Sequence, residues 1–326
     1  MSEYRPSRRA ILKGAGGLSV AAGLGAGTIL ATSSSASAAD DGHGLHIVQR
    51  GETDPRMWFY RFQTAELSYQ PAVNVLLPDG YHTSGQTYPV LYLLHGGLQD
   101  FITFDRHGVR EWTAGKPIVV VMPDGGKAGW YSNPVSTNAG PRNYETFHLN
   151  QLLPWIEQNF RVYREPAGRA VSGFSMGGFG ALKYAAKYSG HFASVSSHSG
   201  PASIRRDLGL VGHWANASSA AVELNGGTVY GVPWDEARVT ADNAMQNIER
   251  YRGKRIFLVA GTSPGGDPMN YIQETQVLAG HREFRAALHA AGIGHEFREE
   301  AGGHVIRPDM FREDINGIVA HLRRAA

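Results

Sequence analysis

Two uninterrupted apolar runs constrain this chain more than any other feature: Pro89-Val90-Leu91-Tyr92-Leu93-Leu94 and Pro117-Ile118-Val119-Val120-Val121-Met122. A strand with one wet face alternates apolar and polar residues. A short run that is apolar at every position reads as a strand buried on both faces, as in a parallel sheet covered by helices. Further strands are expected at Met57–Thr64, Ala72–Leu77, Arg169–Phe174, Phe192–Ser197, Arg255–Ala260 and His295–Glu299. The first two are joined by a polar turn. Apolar residues at helical spacing mark Leu149–Phe160, and helices are also expected at Met176–Tyr188, Arg282–Ala291 and Asp309–Arg324. The alternation predicts an α/β fold with a mostly parallel central sheet and helices on both faces. Pro201–Trp234 shows no clear period and reads as a long loop or small cap over one sheet edge. A segment of that length is a candidate for function.

Composition narrows the chemistry. With 42% hydrophobic and 18% charged residues, the chain is globular and not disordered. It has no Cys, which removes disulfides, thiolate metal sites, a Cys nucleophile and a lipid anchor on Cys. The formal charge is +2, but Arg5, Arg8, Arg9 and Lys13 against Glu3 fall within residues 1–39. The remainder is close to neutral, so no nucleic-acid partner is expected.

Those first residues read as an export leader. Ser7-Arg8-Arg9-Ala10-Ile11-Leu12-Lys13 resembles a twin-arginine signal, an uncharged Gly/Ala/Ser-rich stretch runs from Gly14 to Ala39, and Ala36-Ser37-Ala38 is a small-x-small cleavage site. The stretch is too rich in Gly and Ser for a strongly apolar span. Residues 1–39 are therefore expected to be a signal peptide, and the mature protein to be secreted without a stable membrane anchor. Gly14, Gly16 and Gly17 follow no strand, so they are no dinucleotide fingerprint. His43-x-x-His46 lacks a third ligand nearby. Neither a cofactor nor a metal is expected.

Gly173-Phe174-Ser175-Met176-Gly177 matches G-x-S-x-G, the sharp strand-to-helix turn that exposes a nucleophilic Ser. Gly261-Thr262-Ser263-Pro264-Gly265 matches too. Chemistry separates them: the residue after the nucleophile must lend its backbone N–H to an oxyanion, and Pro264 has none. Met176 does, and a run of helix formers follows it. Ser175 is therefore the expected nucleophile. A second oxyanion donor belongs in the loop after an earlier central strand, at His95-Gly96-Gly97-Leu98. The Gly97 N–H is the expected donor, Leu98 the neighbour that replaces it, and His95 a brace for the loop. A catalytic His comes last in chain order. His304 sits in Gly302-Gly303-His304, at the carboxyl edge of the sheet; His281, His289, His295 and His321 lie in or beside helices and the last strand. The acid that orients the His should follow Arg255–Ala260, where Asp267 and Glu274 both qualify, and spacing alone does not choose. Trp130, Tyr131 and Trp155 are candidate pocket or core aromatics.

From about Pro71 onwards the chain resembles the esterase D-type α/β-hydrolases, and within them most the secreted actinobacterial mycolyltransferases. The likeness rests on Tyr92-Leu93-Leu94-His95-Gly96, Val121-Met122-Pro123-Asp124-Gly125-Gly126, Gly129-Trp130-Tyr131-Ser132, Tyr144-Glu145-Thr146-Phe147 with Leu153-Pro154, and Gly173–Gly178. It implies an α/β-hydrolase fold over residues 40–326 as a single catalytic domain. It also implies a triad of Ser175, Glu274 and His304, since Glu274 stands ten residues before Phe284 as in that family, and an oxyanion hole of the Gly97 and Met176 amides. The chain departs where those enzymes carry Asp-Gly-Leu-Arg, and after His304, where Val305-Ile306 replace Ser-Trp. The expected activity is ester hydrolysis or acyl transfer through an acyl-Ser175 intermediate. The partner is an acyl ester, with water or a sugar hydroxyl as acceptor. A carbohydrate-ester (feruloyl or acetyl) esterase is the close alternative. A non-catalytic cell-surface binding protein on a hydrolase fold is the alternative from another class, and the full Ser, His and carboxylate set argues against it.

Overall fold

The computed structural model describes residues 39–262 and 268–322. The arginine pair, the small-x-small site and Asp267 lie outside the described residues. In chain order the elements are β1 (His46–Gly51), β2 (Met57–Gln63), β3 (Ala72–Leu76), β4 (Val90–Leu94), α1 (Thr103–Arg106), α2 (Val109–Trp112), β5 (Val119–Pro123), α3 (Tyr144–Thr146), α4 (Leu153–Asn159), β6 (Arg169–Phe174), α5 (Met176–Lys187), β7 (Ser194–His198), α6 (Arg206–Val222), α7 (Glu236–Asp242), β8 (Arg255–Gly261), α8 (Pro268–Ala290), β9 (Glu296–Glu300) and α9 (Pro308–His321).

The strands form one sheet in the order β1-β2-β3-β5-β4-β6-β7-β8-β9. β4 to β9 run parallel, and β1, β2 and β3 join as antiparallel neighbours at one edge. The two apolar runs are β4 and β5, and every residue of both is buried. Their side chains divide by the two-residue period of a strand. Val90, Tyr92, Leu94, Val119 and Val121 enter the core on one face, with α4, α5 and part of α8. Leu91, Leu93, Val120 and Met122 enter the core on the other, with α1, α2 and α9. Each such buried aliphatic side chain is worth roughly 1.5–3 kcal/mol, so neither face can be left uncovered.

Several boundaries differ from the expectation, each for a physical reason. β1 was not anticipated: it is an edge strand with no buried residue, so it lacks the alternation that betrays a strand. The helix expected from Leu149 starts at Tyr144 and passes through a π-helical stretch, Phe147–Leu152, whose wider turn spoils the 3.6-residue spacing. Pro201–Trp234 holds a helix, α6, kinked near its start where Asp207, Leu208 and Gly209 leave helical φ/ψ. Only Gly209, Gly212, Ala215, Asn216 and Ser219 of it are buried, so no apolar stripe marks it. α8 begins at Pro268 and not at Arg282.

Chain order reverses around β4: from β4 the path goes out to β5 and returns past β4 to β6. In open α/β sheets, ligands bind outside the carboxyl ends of the strands at such a switch point. The loop after β4 and the turn after β6 both lie there.

Candidate active site

β6 ends at Phe174, and the chain turns into α5 through Ser175, whose φ of 56° and ψ of −119° are strained for a residue with a side chain. The turn is held by the Ser175 N–H donating to the His198 carbonyl at 2.9 Å, and by the Ser175 carbonyl accepting from Phe179 N–H at 3.0 Å. The flanking glycines are steric necessities. A Cβ on Gly177 would lie 2.0 Å from the Leu94 carbonyl oxygen, and one on Gly173 2.4 Å from the Gly177 backbone. A helix packed this tightly on β4 and β6 lifts the Ser175 side chain clear of the sheet.

The Ser175 hydroxyl donates to His304 Nε2 at 2.7 Å, and His304 Nδ1–H donates to Glu274 Oε2 at 2.7 Å. The structure thus brings together all three residues picked out in the sequence, from the turn after β6, the loop after β9 and the body of α8. Glu274 is buried. Its second oxygen accepts the Ser199 hydroxyl at 2.8 Å and the Gly261 N–H. Burial alone would raise this carboxyl. The hydrogen bond and charge of His304, then the Gly261 N–H and the Ser199 hydroxyl, outweigh it and hold Glu274 below the usual carboxylate range. The other histidines named above go elsewhere: His281 Nε2–H donates to the Gly200 carbonyl at 2.6 Å, and His289 and His321 are exposed.

The loop after β4 is braced by His95. Its Nδ1–H donates to the Gly96 carbonyl and its Nε2 accepts the Gly125 N–H, both at 2.8 Å, while Tyr131 O–H donates to the His95 carbonyl at 2.7 Å. The Leu98 N–H is already spent on the Lys127 carbonyl at 2.8 Å. Among the described residues the Gly97 N–H meets no acceptor. The Met176 N–H stands in the first turn of α5, where backbone donors have no helical partner. Gly97, Met176, Ser175 and His304 all line one cavity of about 510 Å³.

Most of that cavity's wall is apolar. Trp130, Leu210, Val211, Trp214, Val222 and Val277 face it, with Lys127, Ser218 and the carboxamide residues Gln99, Asn270, Gln273 and Gln276 as polar neighbours. Trp130 is held by its Nε1–H donating to Ser218 Oγ at 3.0 Å. Of the other aromatics, Tyr131 is buried, and Trp155 packs edge-on against Tyr60 and Phe62 in the core. The α6 side chains were missed in the sequence. The one usable signal was Leu210 and Trp214, one helical turn apart in a segment already suspected as a cap.

The esterase family model matches residues 64–322. The chain belongs to the esterase family. Esterase Rv1288 of Mycobacterium tuberculosis (strain ATCC 25618 / H37Rv) is 70% identical over 292 residues, 88% of this chain, and the chain spans 64% of that relative's length. The diacylglycerol acyltransferase/mycolyltransferase Ag85A of Mycobacterium ulcerans is 30% identical over 66% of this chain and 67% of its own. Among solved structures, an S-formylglutathione hydrolase from Agrobacterium tumefaciens superposes with a TM-score of 0.68 at 17% identity, over 85% of this chain and 99% of its own. MPT51 (FbpC1) of Mycobacterium tuberculosis does so at 0.64 and 21%, over 80% and 97%. The family member described here has the α/β-hydrolase fold, with a likeness to the mycolyltransferases.

Proposed function

We propose that this member of the esterase family is a serine-dependent acyl ester hydrolase or acyltransferase. One observation carries the reading: an unbroken hydrogen-bonded chain from Ser175 through His304 to Glu274, opening on a largely apolar cavity. In the first half-reaction Ser175 Oγ bonds to the ester carbonyl carbon while its proton passes to His304 Nε2. The negative charge gathers on the former carbonyl oxygen, and the Gly97 and Met176 N–H groups receive it. The carbon–oxygen bond to the leaving alcohol then breaks, and His304 returns the proton to that alcohol. In the second half, water or an alcohol gives its proton to His304 and bonds to the acyl carbon; the bond from that carbon to Ser175 Oγ breaks, and His304 returns the proton to Ser175. Glu274 holds the imidazole ring in register and stabilises its charged form. The apolar wall suits an aliphatic acyl group. The Asn270 and Gln273 carboxamides offer hydrogen bonds to a hydroxyl-rich acceptor such as a sugar.

Ser175→Ala should remove hydrolysis of short nitrophenyl esters by several orders of magnitude while leaving the thermal unfolding midpoint within a few degrees. Intact-protein mass spectrometry after a panel of acyl donors should show one acyl group, absent from the variant. Unchanged turnover in Ser175→Ala would sink the reading. Secretion by the leader is part of the same proposal: Arg8→Lys with Arg9→Lys should leave the precursor inside the cell, because the arginine pair is an address read by a receptor. Among the described residues no helix is long and apolar enough to cross a membrane.

A further inference from the structure

The mechanism above uses one oxygen of Glu274. The other is not idle. It accepts from Ser199, a fully buried residue just past β7 whose φ is 52°, and whose N–H is fixed on the Val259 carbonyl at 2.8 Å. Ser199 Oγ in turn accepts from Arg307 Nη1 at 3.3 Å. The same guanidinium clamps the loop that carries the histidine: Arg307 Nη2 donates to the Gly303 carbonyl at 2.7 Å, and Nη1 to the Val305 carbonyl at 3.1 Å. Those carbonyls flank His304 on either side. The fit is close, for a Cβ on Gly261 would come within 2.4 Å of Nη2. One planar fork therefore touches both ends of the Glu274–His304 pair. It reaches the carboxylate through Ser199 and the imidazole through its own loop.

We infer that Arg307, acting through Ser199, is a positioning residue that fixes the His304 loop and tempers the basicity of Glu274. The inference rests on the serine-dependent reading above. Two separable effects follow. The fork, with fixed donor directions, places Gly303 and Val305 and hence the ring between them. The positive charge, together with the Ser199 hydroxyl, draws electron density from Glu274 and so weakens its hold on a charged His304. Arg307 feels Glu274 and Glu300 as its nearby anions. His281, on α8 with Glu274, also feels that carboxylate; burial pushes its ring down to about 4.

The test is the pH profile of kcat/KM on a nitrophenyl ester for the whole mature chain and three variants. His304 must be neutral to accept the Ser175 proton, so activity rises with pH through its titration. Arg307→Met removes charge and fork. Its kcat should fall by roughly 10–100-fold with KM nearly unchanged, and its acid limb should move up by about 0.5–1 pH unit, since a like charge nearby no longer disfavours the imidazolium. Arg307→Lys keeps the charge and loses the fork: kcat should fall, and the limb should stay. Ser199→Ala keeps Arg307 and removes the donor on Glu274: the limb should rise by a few tenths of a pH unit. It is also the variant that carries the test should Arg307→Met fail to fold, because it deletes one small group. Acid limbs that coincide with wild type in both Arg307→Met and Ser199→Ala overturn the inference. So does an equal upward shift in Arg307→Lys. Failure of the underlying reading looks different: the Ser175→Ala variant would then hydrolyse the ester as fast as the wild-type chain.

Discussion

Two buried carboxylates in this molecule are built alike and end differently. Glu274 meets His304, Ser199 and, through it, Arg307. Asp314, on α9 against one sheet face, accepts from His198 Nε2 at 3.0 Å, Ser196 at 2.6 Å, Ser172 at 3.0 Å and Arg255 at 2.8 Å. Both are anion, imidazole, hydroxyl and guanidinium. The difference is what the far ring nitrogen meets. His304 Nε2 meets a hydroxyl at the edge of a cavity. His198 Nδ1 has no partner among the described residues, and its ring lies flat on Phe311 with centroids 3.7 Å apart. Proton transfer needs somewhere for the proton to come from. The cluster on Asp314 has no such place, so its charge is left to hold β6, β7, β8 and α9 together. Through the His198 carbonyl it also supports the Ser175 turn from behind.

This contrast is sharpest if each carboxylate is neutralised in turn. Glu274→Gln should lower kcat by about 10⁴, the size of effect seen when the acid of a serine protease triad becomes an amide. Its unfolding free energy should change far less. Asp314→Asn should do the reverse. A neutral amide leaves the Arg255 guanidinium without its anion, and breaking a buried ion pair costs about 3–5 kcal/mol, while kcat in the surviving folded fraction should stay within tenfold. Urea unfolding and ester kinetics on both variants decide it. If Asp314→Asn is the one that loses turnover at unchanged stability, the assignment of roles is inverted.

The two clusters were not equally readable from the sequence. Ser175 stood out because its turn demands glycines that the packing of Gly173 and Gly177 explains. His304 is legible because a catalytic His comes last in chain order, and His304 lies in the loop after the last strand. Glu274 and Asp267 were left level by spacing and separated only by a family resemblance, because α8 begins earlier than its apolar pattern shows. Asp314 was invisible. It sits on a helix whose apolar stripe, Phe311, Ile315 and Ile318, is strong, and a lone acid next to such a stripe reads as a surface residue. Its partners Ser172, Ser196 and His198 lie on strands where nothing in the period marks them. The sheet itself was legible because burial on both faces leaves no polar position in β4 and β5. The pocket wall was not, because α6 turns its apolar side chains towards a cavity and solvent: Leu210 and Trp214 are each 42% exposed.

Trp214→Ala should reduce kcat/KM for an eight-carbon acyl ester by roughly tenfold, the worth of a partly buried aromatic contact of about 1–2 kcal/mol. It should leave the acetyl ester almost untouched, since a two-carbon chain leaves little to contact beyond Ser175. Equal losses on both esters would mean that Trp214 acts on the fold and not on the acyl group.

The smallest effect distinguishes the carboxylates by pH. Burial alone would raise the Asp314 carboxyl; its bonds to His198, then the charge of Arg255 and the Ser196 hydroxyl, reverse this and hold it below the ordinary value. A carboxyl depressed in the folded state binds its proton less readily there than in the unfolded chain, whose value lies near 3.9. Its contribution to stability is therefore complete above that pH and is lost as pH falls through the unfolded value towards the folded one. Asp314→Asn has no such contribution to lose. The gap in unfolding free energy between wild type and Asp314→Asn should be constant from about pH 7 to pH 5, and should narrow below about pH 4. Urea midpoints at a few pH values measure it. A gap that stays constant down to pH 3 would mean that the aspartate matters for its shape and hydrogen bonds alone. The comparison with Glu274 would then rest on geometry, and charge would be the business of the active site only.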